Sequence, residues 1–296
     1  MSIDLSSYTT PKLLIGLFGQ NILKSLSPAM HQEEARHHGV NLFYQLIDFS
    51  LNPDAANPQI LAQQLNAAKT MGFAGLNITY PYKVAVLPLL DDICPDARAI
   101  GAVNTVVFKD GKSKGYNTDC SGYATDLKAK LAARPLGRVV LVGTGGAGAA
   151  VAHGLMGLGA THLTLVDTDL GKAQQLASAL AARFGSEKVN ASTSAQTALA
   201  KADGLVNATP LGMAGIGGMC VEADWILPRH WVSDVVYSPL ITPMLAVAAS
   251  KGCTVIDGGG MNLWQAVVAF EHFTQLKADA QRMGRYHRAL FAQRGM

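Results

Sequence analysis

Short apolar runs recur along the chain and alternate with longer stretches of mixed polarity, the signature of strands separated by crossover helices. LLIGLF at 13–18 reads as a buried strand that stops at Gly19. A polar loop at 20–27 follows, and Pro28 suits the first turn of a helix to His38. Residues 43–49 form the second strand, 58–71 a helix and 73–78 the third strand, after which Pro81 predicts a short helix through Leu90. The alternation predicts a mostly parallel sheet. Residues 103–108 and 113–116 flank the turn Lys109-Asp110-Gly111-Lys112 and predict a hairpin. A helix from Asp119 to about Ala133 comes next, with Asp119 placed to cap it, and then a linker, Arg134-Pro135-Leu136-Gly137.

The second half repeats the pattern. Residues 139–142, 162–166, 188–191, 204–208, 232–237 and 254–256 read as strands, with 188–191 at an edge. Helices are predicted at 149–158, at 170–184 and after Pro243, and a glycine-rich loop at 212–218. From Gly260 onward there is no strand signal, only two helices. A strandless tail must pack on something already built, and we expect it to return to the N-terminal unit across a cleft from the rest. The fold class is therefore α/β in two domains: an N-terminal α/β domain, residues 1–118 plus 259–296, and a Rossmann-type domain, residues 119–258.

The strand at 139–142 runs into Gly143-Thr144-Gly145-Gly146-Ala147-Gly148, a G-x-G-x-x-G followed by a helix. In that setting the first glycine permits a tight turn and the second lets a pyrophosphate touch the backbone. The third lets the helix pack close to its strand. The helix N-terminus supplies unpaired N–H groups and the positive end of its dipole. The next strand ends on Asp167, about twenty residues after the glycines, where a ribose-binding carboxylate belongs. These features together predict a dinucleotide site.

Composition narrows the rest. The 296 residues are 49% hydrophobic, enough for a sizeable core, and only 15% charged, with a net charge of +3. No basic run points to nucleic acid. Cys94, Cys120, Cys220 and Cys253 are scattered, without a C-x-x-C, so neither a disulfide framework nor a metal site is predicted. The opening MSIDLSSYTT is polar and lacks the build of a signal peptide. The stretch at 139–166 is broken by glycines and polar residues and fits a strand–helix–strand unit better than a membrane span. The expectation is a cytoplasmic protein.

Polar clusters fall where strands end, the place where open α/β sheets bind ligands. Ser25-Leu26-Ser27-Pro28 follows the first strand, and its hydroxyls suit either a substrate carboxylate or a helix cap. Asn77-Ile78-Thr79-Tyr80-Pro81-Tyr82-Lys83 follows the third. Gly101-Ala102-Val103-Asn104-Thr105 enters the hairpin, and Gly115-Tyr116-Asn117-Thr118-Asp119 leaves it.

With these segments the chain closely resembles the shikimate dehydrogenase family, which includes the quinate/shikimate dehydrogenases. The resemblance runs from about Ile15 to Phe273 through SLSPAMH, NITYPYK, GAVNT, GYNTD, GTGGAG, NATPLGM, DVVYSPLITP and GGGMNLWQA. Each string is weak alone; eight in order are specific. The resemblance implies that Ser25 and Ser27, with Tyr237, bind a substrate carboxylate. It implies that Thr79, Asn104 and Gln265 hold ring hydroxyls with Lys83 and Asp119, the catalytic pair. Gly143, Gly145, Gly146, Ala147 and Gly148 would hold the pyrophosphate. Asn207, Thr209, Pro210, Leu211 and Met213, then Val235, Gly258 and Met261, would line the nicotinamide side.

Oxidation of a ring alcohol moves a hydride to the nicotinamide and a proton to a base. A lysine serves as that base where its surroundings favour the neutral form, and a neighbouring aspartate orients it. No metal is required. After the second strand of the Rossmann-type domain, NADP-using family members typically carry Asn-Arg-Thr; this chain has Asp167-Thr168-Asp169, with Lys172 the nearest cation. A carboxylate accepts hydrogen bonds from ribose hydroxyls and repels a 2′-phosphate, so NAD is expected over NADP. The expected partners are a small cyclic hydroxy acid and the dinucleotide, without nucleic acid or membrane, in a monomer or homodimer. Quinate, an aminated ring substrate, and a nucleotide-sensing relative without catalysis are the alternatives. Retention of Lys83, Asp119 and Gln265 counts against the last.

Overall fold

The first apolar run forms strand β1 (Lys12–Gly19) in a computed structural model that describes residues 12–51 and 57–293. The polar N-terminal decapeptide, and with it the expectation about a signal peptide, lies outside the described residues. The chain divides into two units. One comprises the described residues up to Thr118 with those from Ala266 onward, the other Asp119–Gln265.

In the first unit β1 is followed by α1 (Ser27–His37), β2 (Asn41–Asp48), α2 (Pro58–Thr70) and β3 (Gly75–Ile78). Then come β4 (Asp92–Ile93), α3 (Pro95–Ile100) and a hairpin of β5 (Thr105–Lys109) and β6 (Lys112–Tyr116). The strand order is β2-β1-β3-β5-β6-β4. β1 pairs in parallel with β2 and β3, and β4 with β6; the hairpin adds the antiparallel pairs β3–β5 and β5–β6. The core packs Phe18 edge-on against Phe49 at 5.2 Å and Phe49 against Tyr82 at 5.0 Å, beside Leu61, Leu76 and Val106.

One predicted helix is absent. Residues 81–90 form turns and a short 3₁₀ segment, Leu87–Leu89, after a cis Tyr80–Pro81 bond. The reason is local. The carbonyl of Lys83, which a helix would offer to Leu87, accepts from the N–H of Val103 at 2.8 Å instead. Pro88 has no N–H to give to Val84. Leu87 therefore donates three residues back, to Val84, at 3.1 Å. β4 and α3 carry too few residues for a period to show and escape the sequence reading.

Helix α4 (Thr118–Leu131) starts one residue before Asp119, so that acid sits in the first turn and is not the cap. The second unit continues with β7 (Arg138–Val142), α5 (Gly146–Gly157), β8 (His162–Val166), α6 (Leu170–Phe184) and β9 (Val189–Ser192). After α7 (Gln196–Leu199) come β10 (Gly204–Asn207), β11 (Trp231–Asp234), α8 (Pro243–Ser250), β12 (Thr254–Ile256) and α9 (Gly259–Thr274), whose residues up to Gln265 group with this unit and not, as expected for 259 onward, with the first. The order is β12-β11-β10-β7-β8-β9, and every pairing is parallel. Order reverses at β7, whose neighbours are β8 and β10, and this is the switch point at which doubly wound sheets bind ligands.

The apolar runs fill this core with Val140, Val142, Leu205, Val232 and Leu245. Trp231 is fully buried and satisfies its indole N–H on the carbonyl of Leu136 at 3.1 Å. Two boundaries differ by three residues from the sequence reading. α5 begins at Gly146 rather than Ala149, because glycines with poor intrinsic propensity make up its first turn. β11 ends at Asp234, whose carboxylate takes the N–H of Val236 at 3.0 Å and turns the chain out of the sheet before Tyr237.

The tail is α9 and α10 (Ala280–Gln293). In the first unit α10 is tied to α1 through Glu34, a fully buried carboxylate. It accepts from Arg282 Nε at 2.8 Å, Arg282 Nη2 at 2.6 Å and the N–H of Asp279 at 2.8 Å. Among the described residues no helix is long and apolar enough to cross a membrane.

Candidate active site

In the first unit, backbone hydrogen bonds gather the candidate residues at the carboxyl ends of β1 and β3. Thr79 donates its N–H to Phe18 at 2.8 Å, and Ile78 donates to Asn104 at 2.8 Å. Lys83 is held by Val103, the neighbour of Asn104. Thr79, Lys83 and Asn104 therefore stand on three adjoining segments. Lys83 is half-buried and Asn104 buried. The loop carrying Ser25 is fixed by Asp48 at the end of β2, which accepts from the N–H groups of Asn21 and Ile22 at 3.0 Å each.

Helix capping does not account for the two serines. The cap position of α1 is Leu26, no side chain caps it, and Ser27 lies inside the helix. Ser25 Oγ accepts from the N–H of Ser27 at 3.2 Å and donates to Ser27 Oγ at 3.2 Å. Both side chains are partly exposed.

The structure adds residues to which the sequence reading assigned no role. The Tyr44 hydroxyl donates to Asn77 Oδ1 at 2.8 Å, and Asn77 Nδ2 donates to Thr105 Oγ1 at 3.1 Å. Thr105 Oγ1 in turn donates to Asn104 Oδ1 at 3.1 Å. Asn77 is a buried polar residue in an otherwise apolar strand, a signal legible in FAGLNI. Tyr44 carries no comparable signal.

In the second unit the turn after β7 has the form that the glycines require. Gly143 has φ +96°, and Gly148 approaches so closely that a Cβ there would lie 2.0 Å from the carbonyl oxygen of Gly143. A Cβ on Gly145, in contrast, meets nothing within 4 Å, and no side chain caps the helix there. Gly146 and Ala147 complete the first turn of α5. An open backbone at an uncapped helix N-terminus fits a pyrophosphate. Asp167 faces this turn: its Oδ2 accepts the N–H and hydroxyl of Thr144 at 2.8 and 2.7 Å, and its Oδ1 the N–H of Asp169 at 3.0 Å. Burial alone would raise its pKa, but these hydrogen bonds hold it below the usual carboxylate range. Lys172 pairs with Asp169 at 3.6 Å. The cavity beside the turn is lined by Gly143 and Asp167 and also by Ser194, Cys220, Glu222 and Trp225, which no sequence pattern marks.

Asn207 ties the loop after β10 to the end of β11. Asn207 donates to the Leu211 carbonyl and to Asp234 Oδ1, both at 3.0 Å, while its Oδ1 accepts the N–H of Thr209 at 3.0 Å and its hydroxyl at 2.6 Å. Asp234 Oδ2 accepts from Thr242 at 2.8 Å, and burial pushes its pKa up to about 6. Pro210, Leu211 and Met213 are exposed along this loop. Gly258 packs on the carbonyls of Val235 and Val236, so close that a Cβ would come within 2.6 Å of either oxygen. Met261 is buried behind it. Asp119 is buried in the first turn of α4, and Tyr237 is exposed after the end of β11. Gln265 Nε2 donates to the carbonyl of Asn262 at 2.9 Å. Among the described residues no group of three His, Cys, Asp or Glu side chains is arranged to hold a metal ion.

A parallel sheet with its glycine turn, acid and loop network at the switch point defines a Rossmann-type nicotinamide-dinucleotide oxidoreductase. Residues 17–106 match the family described as the shikimate dehydrogenase substrate binding domain. A shikimate dehydrogenase (NADP(+)) of Streptomyces avermitilis is 45% identical over 277 residues, 93% of this chain and 94% of that one. A quinate/shikimate dehydrogenase (NAD(+)) of Corynebacterium efficiens is 44% identical over 274 residues, 92% of this chain and 96% of the relative. The solved quinate dehydrogenase of Corynebacterium glutamicum in complex with NAD superposes with a TM-score of 0.87. It is 41% identical and covers 94% of this chain and 99% of its own. The chain belongs to the shikimate dehydrogenase family.

Proposed function

We propose that this protein interconverts shikimate and 3-dehydroshikimate with NAD as the preferred dinucleotide, as a monomer or homodimer in the cytoplasm. In this reading the first unit binds the ring and the second the dinucleotide. The observation that carries it is the placement of Thr79, Lys83 and Asn104 on three adjoining segments at one end of the first sheet. Ser25, Ser27 and Tyr237 bind the carboxylate through their hydroxyls. Thr79, Asn104 and Gln265 orient the ring hydroxyls. Lys83 Nζ accepts the proton of the alcohol being oxidised, and Asp119 orients the ammonium and that hydroxyl. The dinucleotide, when bound, supplies the hydride acceptor.

The test is a steady-state panel of shikimate and quinate, each with NAD and NADP. Shikimate oxidation is expected, with quinate slower. Quinate turnover without shikimate turnover reverses the order of substrates. Tight dinucleotide binding with neither substrate used favours the sensing or aminated-substrate readings.

A further inference from the structure

Asn104 owes its amide orientation to groups that do not themselves touch a substrate. Its Oδ1 accepts the N–H of Thr118 at 2.8 Å. A backbone N–H can only donate, so the amide atom that faces it must be the oxygen, which identifies the other atom as Nδ2. One Nδ2 hydrogen goes to Thr118 Oγ1 at 2.9 Å, which leaves one for a ring hydroxyl. Asn77 is oriented by the same logic. Its Nδ2 donates to the backbone carbonyl of Asn104 at 3.3 Å, so its Oδ1 must be the atom facing Tyr44. The phenol is thereby the donor in that bond.

We propose that Tyr44 is a positioning residue for the ring substrate, its buried hydroxyl anchoring the Asn77–Thr105–Asn104 array and holding the Asn104 amide in register. The inference rests on the reading of Asn104 as a substrate contact. Tyr44 gives its hydroxyl proton to Asn77, and Asn77 spends both Nδ2 hydrogens on the Asn104 carbonyl and Thr105 Oγ1, so each acts through another side chain. A buried polar array is stiff when every member is satisfied, and removal of one member leaves its partners loose. The ring of Tyr44 packs beside that of His31, with centroids 5.1 Å apart. Tyr44→Phe therefore keeps the packing and deletes only the hydroxyl. Thr105→Val is nearly isosteric and breaks the same array without touching Tyr44.

The experiment measures KM and kcat for shikimate and for NAD in the wild type, Tyr44→Phe, Thr105→Val, Asn104→Ala and the double variant Tyr44→Phe/Asn104→Ala. Both Tyr44→Phe and Thr105→Val are expected to raise the shikimate KM about tenfold, the loss typical of one buried hydrogen-bonding group. The NAD KM should stay within about twofold and kcat within about threefold, since the substitutions act on positioning of the ring. In the Asn104→Ala background the Tyr44→Phe effect should shrink, because the group it positions is gone. An unchanged or lowered shikimate KM, or equal effects of Tyr44→Phe in both backgrounds, overturns the positioning role and leaves Tyr44 as packing alone. A wild type inactive on shikimate and on quinate overturns the functional reading itself, and is seen before any variant is compared.

Discussion

Asp167 and Asp234 close two strands of one sheet, yet their environments push them in opposite directions. Hydrogen bonds from Thr144 and Asp169 outweigh burial at Asp167 and keep it ionised. At Asp234 burial outweighs the bonds from Val236, Thr242 and Asn207, and the pKa rises from 3.8 to about 6. A raised carboxylate pKa means that the folded state holds the proton more tightly than the unfolded chain. This group is therefore most favourable below pH 3.8, and its contribution is lost as the pH rises through 6. The difference corresponds to about 3 kcal/mol at neutral pH. Asp234→Asn removes the titration and keeps most of the shape. Urea unfolding in steps from pH 4 to 7 should show the wild type losing about 2 kcal/mol relative to the variant over that interval. Parallel curves sink the assignment. Catalysis is the second question at this scale. Lys83→Ala should lower kcat by about 10²–10⁴-fold, the range for general acid–base catalysis. Asp119→Asn should also lower kcat, and the double variant should be little worse than the worse single one, because the residues act as a unit. A large rise in KM with kcat unchanged makes Lys83 a binding residue only.

At the scale of elements, the ion pair between α1 and α10 shows why a tail without a strand is held. Glu34 is fully buried, and its charge is compensated by Arg282, by the N–H of Asp279 and by His38 at 3.1 Å. Burial alone would raise its pKa; these partners bring it below the ordinary value. Its stabilisation is thus present above the unfolded carboxylate pKa and lost as the pH falls through the folded one. Arg282→Ala strands a buried charge and should destabilise by about 3 kcal/mol. Glu34→Leu with Arg282→Met should recover most of the loss, which a thermal or urea melt can read. A double variant as unstable as the single one contradicts this account. The sequence shows the helices and their order here but not the pair, since Glu34 and Arg282 lie far apart in the chain and each is ordinary in its own helix. Legibility elsewhere followed the same rule. Long periodic segments such as α6 and the run at 139–142 are visible, because 3.6 and continuous apolar patterns need only local residues. The helix expected after Pro81 failed because Val103, twenty residues on, claims a carbonyl of that segment. The candidate site was legible where chemistry demands a residue type, as at Gly143, Gly148 and Asp167. It was illegible where a side chain matters by what it touches, as at Tyr44, Thr105 and the 193–195 and 220–225 cavity walls.

At the scale of the whole molecule, ligand choice becomes a stability measurement. Relatives of nearly equal identity carry opposite cofactor names, NADP(+) for one and NAD(+) for another, so overall likeness does not choose between the two. The proposal of NAD rests on the residues around the turn. Asp167 is ionised and directed at the glycine turn, Asp169 lies beside it, Glu222 lines the same cavity, and Lys172 is engaged with Asp169. This local excess of negative charge opposes a 2′-phosphate and accepts ribose hydroxyls. A ligand that binds only the folded state stabilises it by about 2.7 kcal/mol at a hundred times its dissociation constant. At equal concentrations NAD should therefore raise the unfolding midpoint more than NADP, and kcat/KM should rank the two in the same order. Asp167→Asn removes the charge while an amide oxygen can still accept from Thr144, so it should narrow the gap chiefly by improving NADP. Higher ionic strength should narrow it as well, because the discrimination is electrostatic and partly exposed. If NADP protects the wild type as well as NAD does, or if Asp167→Asn weakens both alike, charge at Asp167 does not set the preference.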